Sequence, residues 1–408
     1  GISIVTYLGI LLPTLITTMI PLMSTFVGKG MSPLTLILIF NIALPIINYA
    51  LLTNYLRMLP IHFSTVEVSK HPESLKFGEI RIGKKKTRMY IILPFLLSAL
   101  LFYFGFTLIQ ASEPFHISKI FGGCLILFSF ISGLLLLCYP YYSNNIKISK
   151  KISSIEDQFS ESLVELGTIM RNGIPLEQAL EKLQEKLHKE WEIRDLYKTI
   201  SHNLKIGYTL EEAVFSKKIG TIGRYPSELI RNILKVFVEL PKKGIILMGE
   251  SLITISTFLK NIKKVSIYTK EILSDITSEL TIMKKVMVPI FCGMMVGISG
   301  IMGKILVSIS NYFASLVGME SYLKGMTGFI ITTDIRKIIP LETFTLSMGF
   351  YGIEMLFVVS IFLTSIEYGN DKYQIMKSCC EGILLFLVLF TIIGTIIYSL
   401  VTSFIQGL

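Results

Sequence analysis

Residues 171–180 read RNGIPLEQAL, and residues 205–214 read KIGYTLEEAV. Both run basic residue, any residue, Gly, two residues, Leu-Glu, any residue, Ala, aliphatic, 34 residues apart, inside the one long polar stretch of a greasy chain. Upstream of the first copy, Ile155, Phe159, Leu163, Leu166 and Met170 recur at helical spacing. Ser154 with Asp157 predicts a capping-box-like start to that helix. Asn172-Gly173 predicts its end, because Gly takes the left-handed conformation after a helix at low cost. Pro175 falls where the next helix begins, since its missing N–H would be unpaired there anyway, and Leu176, Leu180, Leu183 and Leu187 form the next stripe.

The second copy follows the same grammar. Gly207 ends a helix, Thr209 is an N-cap, and Glu212 completes a capping box, with Leu210 and Ala213 facing inward. Glu177 and Glu211 fall in first turns, where carboxylates suit the positive end of the helix dipole. Each phrase therefore encodes a helix–Gly–helix corner, built on Gly173, Pro175 and Leu176 in one copy and on Gly207, Thr209 and Leu210 in the other. No alternating run or Asn-Gly turn marks a strand across 143–285. The duplication predicts a compact antiparallel bundle of about six helices, with a long helix from about 245 to 284 as its stalk. A tetratricopeptide array is excluded by the absence of its Trp-Leu-Gly-Tyr pattern.

Outside this stretch the chain is apolar. Of 408 residues, 51% are hydrophobic and 17% charged, against about 25% charged in a soluble domain. Seven blocks reach the length a bilayer span needs: 3–27, 33–56, 89–110, 118–142, 286–317, 341–366 and 382–405. The fold class is all-α, a polytopic membrane protein of about seven spans with a cytoplasmic helical bundle. The chain divides into a first transmembrane hairpin (1–56), a basic cytoplasmic loop (57–88), a second hairpin (89–142), the bundle (143–285) and C-terminal spans (286–408). The opening GISIVTYLGILLPTLITTMIPLM lacks a charged n-region and reads as a span, and the absent initiator Met reads as a processed chain or a fragment.

Charge sets the expected sidedness. Loop 57–88 carries Arg57, Lys70, Lys76, Arg81, Lys84, Lys85, Lys86 and Arg88 against Glu67, Glu73 and Glu79. The positive-inside rule puts it and 143–285 in the cytoplasm, with the N-terminus inside and the C-terminus outside. Loop 318–340 then falls outside despite Lys324, Arg336 and Lys337. The net charge of +10 reads as topology and headgroup contact, not nucleic-acid binding.

Several chemistries drop out. The five Cys and five His include no Cys-x-x-Cys and no His-Glu-x-x-His, so neither a metal site, a cofactor nor a disulfide framework is expected. GEIRIGKKK at 78–86 approaches a P-loop, but Lys85 stands where Ser or Thr must hold magnesium. No Asp lies in a span and no Gly-x-Ser-x-Gly exists. Glu354 and Lys304 are the deep ionisable residues of the spans, as a functional charge or as a pair closing a helix interface. Gly293, Gly297, Gly300 and Gly303 allow close helix approach, for packing within the chain or for a dimer or filament-subunit face.

The segment FSESLVELGTIMRNGIPLEQALEKL, followed by LKIGYTLEEAV, resembles the cytoplasmic helical domain of the type II secretion F family, the inner-membrane platforms of type II secretion, type IV pili and the archaellum. LGILLPTLITTMIPLM and the linker LPIHFSTVEVSKHPESLKFG are similar to the archaeal branch, and the resemblance covers roughly 143–317 well. It departs at VELPKKGIILMGESL, where Glu239, Gly244 and Gly249-Glu250 match the family's Gly-Glu element only in part. The resemblance implies a non-enzymatic scaffold in the cytoplasmic membrane, partnered by a cytoplasmic assembly ATPase, pilin-like filament subunits and a second copy of itself. The ATPase contact is then expected at Lys84, Lys85, Lys86 and Arg88 with Arg171, Glu177, Lys205 and Glu211. The alternatives are a secondary transporter or channel, and a platform serving secretion instead of a surface filament.

Overall fold

The computed structural model describes residues 33–58, 74–75, 78–82, 85–87, 92–113, 115–216, 220–221, 225, 227–316, 340–369 and 371–406. The first block of the sequence reading, 3–27, all of loop 318–340 except Pro340, and most of the linker 59–78 lie outside them. In chain order the helices are α1 (Pro33–Leu38), α2 (Leu44–Met58), α3 (Ile92–Ala111), α4 (Ile117–Arg171), α5 (Leu176–Lys186), α6 (Ile193–Lys205), α7 (Leu210–Phe215), α8 (Glu228–Glu239), α9 (Ile245–Ile282), α10 (Val288–Leu316), α11 (Leu341–Tyr368) and α12 (Lys372–Gln406). Two three-residue strands, β1 (Ile80–Ile82) and β2 (Lys85–Thr87), pair antiparallel with Ile80 opposite Thr87 and Ile82 opposite Lys85. The described chain is thus helical apart from one small hairpin.

The chain divides into two compact units. One draws on Gly1–His62, Phe77–Tyr141 and Ser274–Leu408, the other on Phe63–Lys76 and Tyr142–Leu273. Helices α4 and α9 each supply residues to both.

The first unit is apolar. Among the described residues, five helical runs are long and apolar enough to cross a membrane: Ile92–Ala111, Ile117–Arg171, Ile245–Ile305, Leu341–Tyr368 and Lys372–Ser403. This is compatible with a multi-pass membrane protein. Helix α3 turns Leu93, Phe95, Leu96, Leu100 and Phe104 outward, as lipid-facing surface requires. Helices α10, α11 and α12 pack together at small residues: a Cβ on Gly297 would meet Ile397 at 2.9 Å, and one on Gly352 would run into the Phe386 ring.

Two π turns interrupt this unit, each two residues before a proline. Ile39–Ala43 precedes Pro45, and Met283–Met287 precedes Pro289. A proline in a helix removes one N–H and crowds the preceding turn, and a wider turn relieves that crowding. The expected single span 33–56 is therefore broken into α1 and α2.

The second unit has its own core. Phe159, Leu163, Leu166 and Met170 of α4 meet Leu180 and Leu183 of α5, Leu196, Tyr197 and Ile200 of α6, Val214 of α7, Leu234 and Phe237 of α8, and Met248 and Leu252 of α9. Six helices share it. Polar contacts set their directions. Lys186 pairs with Glu165 at 3.3 Å, so α5 runs back along α4. Tyr197 and Ser162 share a hydrogen bond of 2.7 Å, so α6 returns alongside α4. Ser256 donates to the Ser160 carbonyl at 2.6 Å and Lys263 meets Asp157 at 2.6 Å, so α9 is antiparallel to α4.

One expected boundary is wrong. No helix starts at Ser154, because α4 runs unbroken from Ile117 to Arg171 with Pro140 inside it. Nothing between 143 and 153 stops a helix. Buried Asn145 is satisfied without doing so, accepting from the Leu75 N–H at 3.2 Å and donating to the Leu75 carbonyl at 3.3 Å. Asp157 is used sideways, toward Lys263, and not as a cap.

Candidate functional site: the corner end of the helical unit

The repeated phrase forms two turns of related build. At the first, Gly173 has φ +80° and its N–H donates to the Met170 carbonyl at 2.9 Å. Pro175 is the N-cap and not the first helical residue: Leu176 begins α5, and the Pro175 carbonyl accepts from the Ala179 N–H at 2.8 Å. At the second, Gly207 has φ +98°, its N–H donates to Leu204 at 2.9 Å, and the Tyr208 N–H reaches back to Asn203 at 3.2 Å. That pair of bonds is a Schellman motif, and it satisfies carbonyls that a helix end leaves open. A Cβ at either glycine would meet nothing within 4 Å, so the positive φ alone selects glycine there.

Thr209 then opens α7. Its hydroxyl accepts from the Glu212 N–H at 3.3 Å, while its own N–H and hydroxyl donate to the Glu212 carboxylate at 3.0 and 2.9 Å. Donation by the Thr209 backbone, and then by its side chain, holds the Glu212 carboxyl below the ordinary carboxylate range.

The two corners share one end of the unit. Lys205 forms an ion pair with Glu181, one turn past Glu177 on α5. The start of α9 lies there as well, since a Cβ on Gly249 would meet the Gly167 carbonyl and the Arg171 nitrogen, both at 2.7 Å. Arg171, Glu177, Lys205 and Glu211 are all exposed at this end. So are Ile206, Tyr208, Ile245, Ile246 and Leu247, which add exposed apolar groups at that end.

The sequence reading missed that apolar component. Ile206 and Tyr208 flank Gly207, and Ile245–Leu247 follow Gly244; three aliphatics straight after a turn glycine, off the stripe of Met248 and Leu252, were the available signal. It also did not anticipate the Gly167–Gly249 crossing, because each glycine is far from the other in sequence.

The remaining candidates belong to the other unit. Lys85 and Lys86 fall in β2, whereas Lys84 and Arg88 lie outside the described residues. The hairpin disposes of the near P-loop, since a phosphate loop needs a strand followed by a helix. Gly293 faces Phe390 and Ile393, Gly297 faces Ile397, Gly300 faces Tyr398, and Gly303 faces Phe115, all within the apolar unit. All four positions pack against other residues of the same chain. The Glu354–Lys304 pair does not form: Glu354 Oε2 is buried without a hydrogen-bond partner. Among the described residues the buried cation is Lys284, in the second π turn, which donates to the Ser378 carbonyl at 2.9 Å and hydroxyl at 2.6 Å.

Comparison with known proteins adds no relative: no family model, no curated protein and no solved structure matches the chain.

Proposed function

We propose that the chain is a non-enzymatic membrane platform for assembling a type IV pilus-like or archaellum-like filament. On this reading the helical unit lies in the cytoplasm and docks a hexameric assembly ATPase, while the spans gather pilin-like subunits by their hydrophobic helices. ATP-driven movement of the platform lifts subunits into the growing filament. The full chain crosses the cytoplasmic membrane seven times, with its N-terminus inside and its C-terminus outside.

One observation carries this reading. A helical unit with its own core turns two Gly-bounded corners to the same end, and displays Arg171, Glu177, Lys205 and Glu211 around exposed Ile206 and Tyr208. Mixed charge around an apolar centre is the composition of a protein-docking surface. The cationic run Lys84–Lys86 with Arg88 supplies a second contact for the ATPase. Reversing charge at Lys84, Lys85 and Lys86 is expected to abolish co-purification with the ATPase while membrane insertion persists; retained co-purification removes those residues from the contact.

A secondary transporter or channel is the second reading. It is favoured by unpartnered polar atoms buried in the apolar unit, Glu354 Oε2 and Asn48 Oδ1. Substrate flux in proteoliposomes containing the chain alone supports it against the platform. A secretion platform uses the same docking and differs in the subunits it lifts.

A further inference from the structure

Helices α4 and α12 run antiparallel in a steady register. Just before α4, the Phe115 carbonyl accepts from the Tyr398 hydroxyl. Further along, Cys124 is hydrogen-bonded to Thr391, Cys138 is hydrogen-bonded to Cys380, and the Tyr141 ring lies 5.5 Å from the Tyr373 ring. The partners step forward on α4 as they step back on α12. Tyr373, Cys380, Thr391 and Tyr398 are seven, eleven and seven residues apart, and Cys124 and Cys138 are fourteen apart. Each step closes a near-whole number of helical turns, so each set lies on one helix face. The register of two faces, and not one contact alone, sets the Cys138 thiol against the Cys380 thiol.

All five thiols are free and buried, and their surroundings separate this pair from the rest. Cys379 is one position round the helix from Cys380 and lies by the Lys284 ammonium. Cys124 is set against Thr391, and Cys292 lies on α10 beside Gly293, which faces Phe390 and Ile393. The turn of α12 that carries Cys380 also carries Lys377 and Glu381, paired at 3.8 Å with side chains 42% and 58% exposed. Tyr139, next to Cys138, is 60% exposed. In a membrane, a turn bearing two exposed charges lies at the polar boundary and not in the hydrocarbon. The paired thiols are therefore buried only one side chain's depth from water, within reach of a small neutral oxidant.

We propose that Cys138 and Cys380 are a paired oxidation site, converted by a peroxide into a disulfide that joins α4 to α12. One thiol sulfur attacks a peroxide oxygen, the O–O bond breaks, and a sulfenic acid and one water result. The second thiol sulfur attacks the sulfenic sulfur, expelling a second water and forming the S–S bond. Two thiols lose two hydrogens, and one hydrogen peroxide is reduced to two waters. Both cysteines belong to the apolar unit, so the bridge fastens helices within it. The same end of α12 already holds the π turn, since Lys284 donates to Ser378, and oxidation adds a covalent hold beside that polar one. This inference stands on α4 and α12 and does not rest on the platform reading.

The test uses the full native chain in nanodiscs, reduced, freed of reductant and treated with hydrogen peroxide. It is then denatured in a maleimide, digested and mapped by mass spectrometry. The expected product is a peptide pair joined through Cys138 and Cys380, two hydrogens lighter than the free pair and restored by reductant. Cys124 and Cys292 are expected to take the maleimide as free thiols at the same peroxide dose. Cys379→Ser is expected to keep the bridge and Cys380→Ser to lose it. A bridge from Cys138 to Cys379, or one joining two copies of the chain, overturns the pairing. Five free thiols, or equal oxidation at all five, overturns the site. These outcomes are read on the native chain and need no variant to fold. The bridge is also expected to shift the melting temperature upward and reductant to return it, because a cross-link across so long a stretch restricts the unfolded chain. A bridge without that shift overturns the fastening of α4 to α12.

Discussion

Phe159 and Phe104 are the same residue in two helices of one chain, with opposite fates. Phe159, in the helical unit, is fully buried and stacks on Tyr197 with ring centroids 6.4 Å apart. Phe104, in the apolar unit, faces outward. In the helical unit polarity separates inside from outside, so an apolar stripe marks the core. In the apolar unit nearly every residue is apolar and the stripe vanishes. There the inside is marked by small residues that let helices approach, and by the few polar groups that must find partners, such as Lys284 on Ser378.

The largest effect should separate the two phenylalanines. Phe159→Ala is expected to destabilise the helical unit by about 3–5 kcal/mol, read by denaturant unfolding of the full chain in detergent. Phe104→Ala is expected to change stability by less than about 0.5 kcal/mol, since it removes no internal packing. Similar losses at both sites break the comparison.

A glycine contrast sharpens it. Gly297→Val drives a side chain into Ile397 and is expected to cost about 1–3 kcal/mol, seen as a lower melting temperature of the purified chain. Gly207→Ala has open space and is expected to cost about 1–2 kcal/mol from its left-handed backbone alone. Shortening the side chain at 297 from Val to Ala should therefore recover stability, whereas changing its size at 207 should not.

Thr209→Ala is expected to cost about 1 kcal/mol through loss of the N-cap. It should also alter the pH dependence. Glu212 has its carboxyl lowered in the folded chain, so its contribution is complete above the ordinary value of 4.5 and is lost as pH falls through the lowered one. The stability gap between native and Thr209→Ala chains should be full above that window and shrink as pH falls through it, read by denaturant unfolding at a series of pH values. The smallest effect is expected at Lys205→Ala, about 0.2–1 kcal/mol, because the pair with Glu181 is exposed and screened.

Legibility follows the same divide. The stripe of Phe159 to Met170, the capping box at Thr209 and the turn at Gly207 are readable from neighbouring residues, because each is a local event. The continuity of α4 through 143–153 was not readable, since Asn145 is satisfied by Leu75, 70 residues away in sequence. Nor was the π turn before Pro289, nor the hairpin at Ile80–Thr87, whose alternation is only three residues per strand. At the corner end the charged residues were legible and the apolar ones were not, because exposure of Ile206 or Ile245 is set by packing partners distant in the chain.

The reading of this protein as a motor platform requires its helical unit to face the cytoplasm. Gln178, exposed on α5, can be replaced by Cys against a background of five buried thiols. Intact cells treated with a membrane-impermeant maleimide should leave Gln178→Cys unlabelled, and opening the cells should make it react fully. Full labelling in intact cells would place the corners outside and contradict ATPase docking.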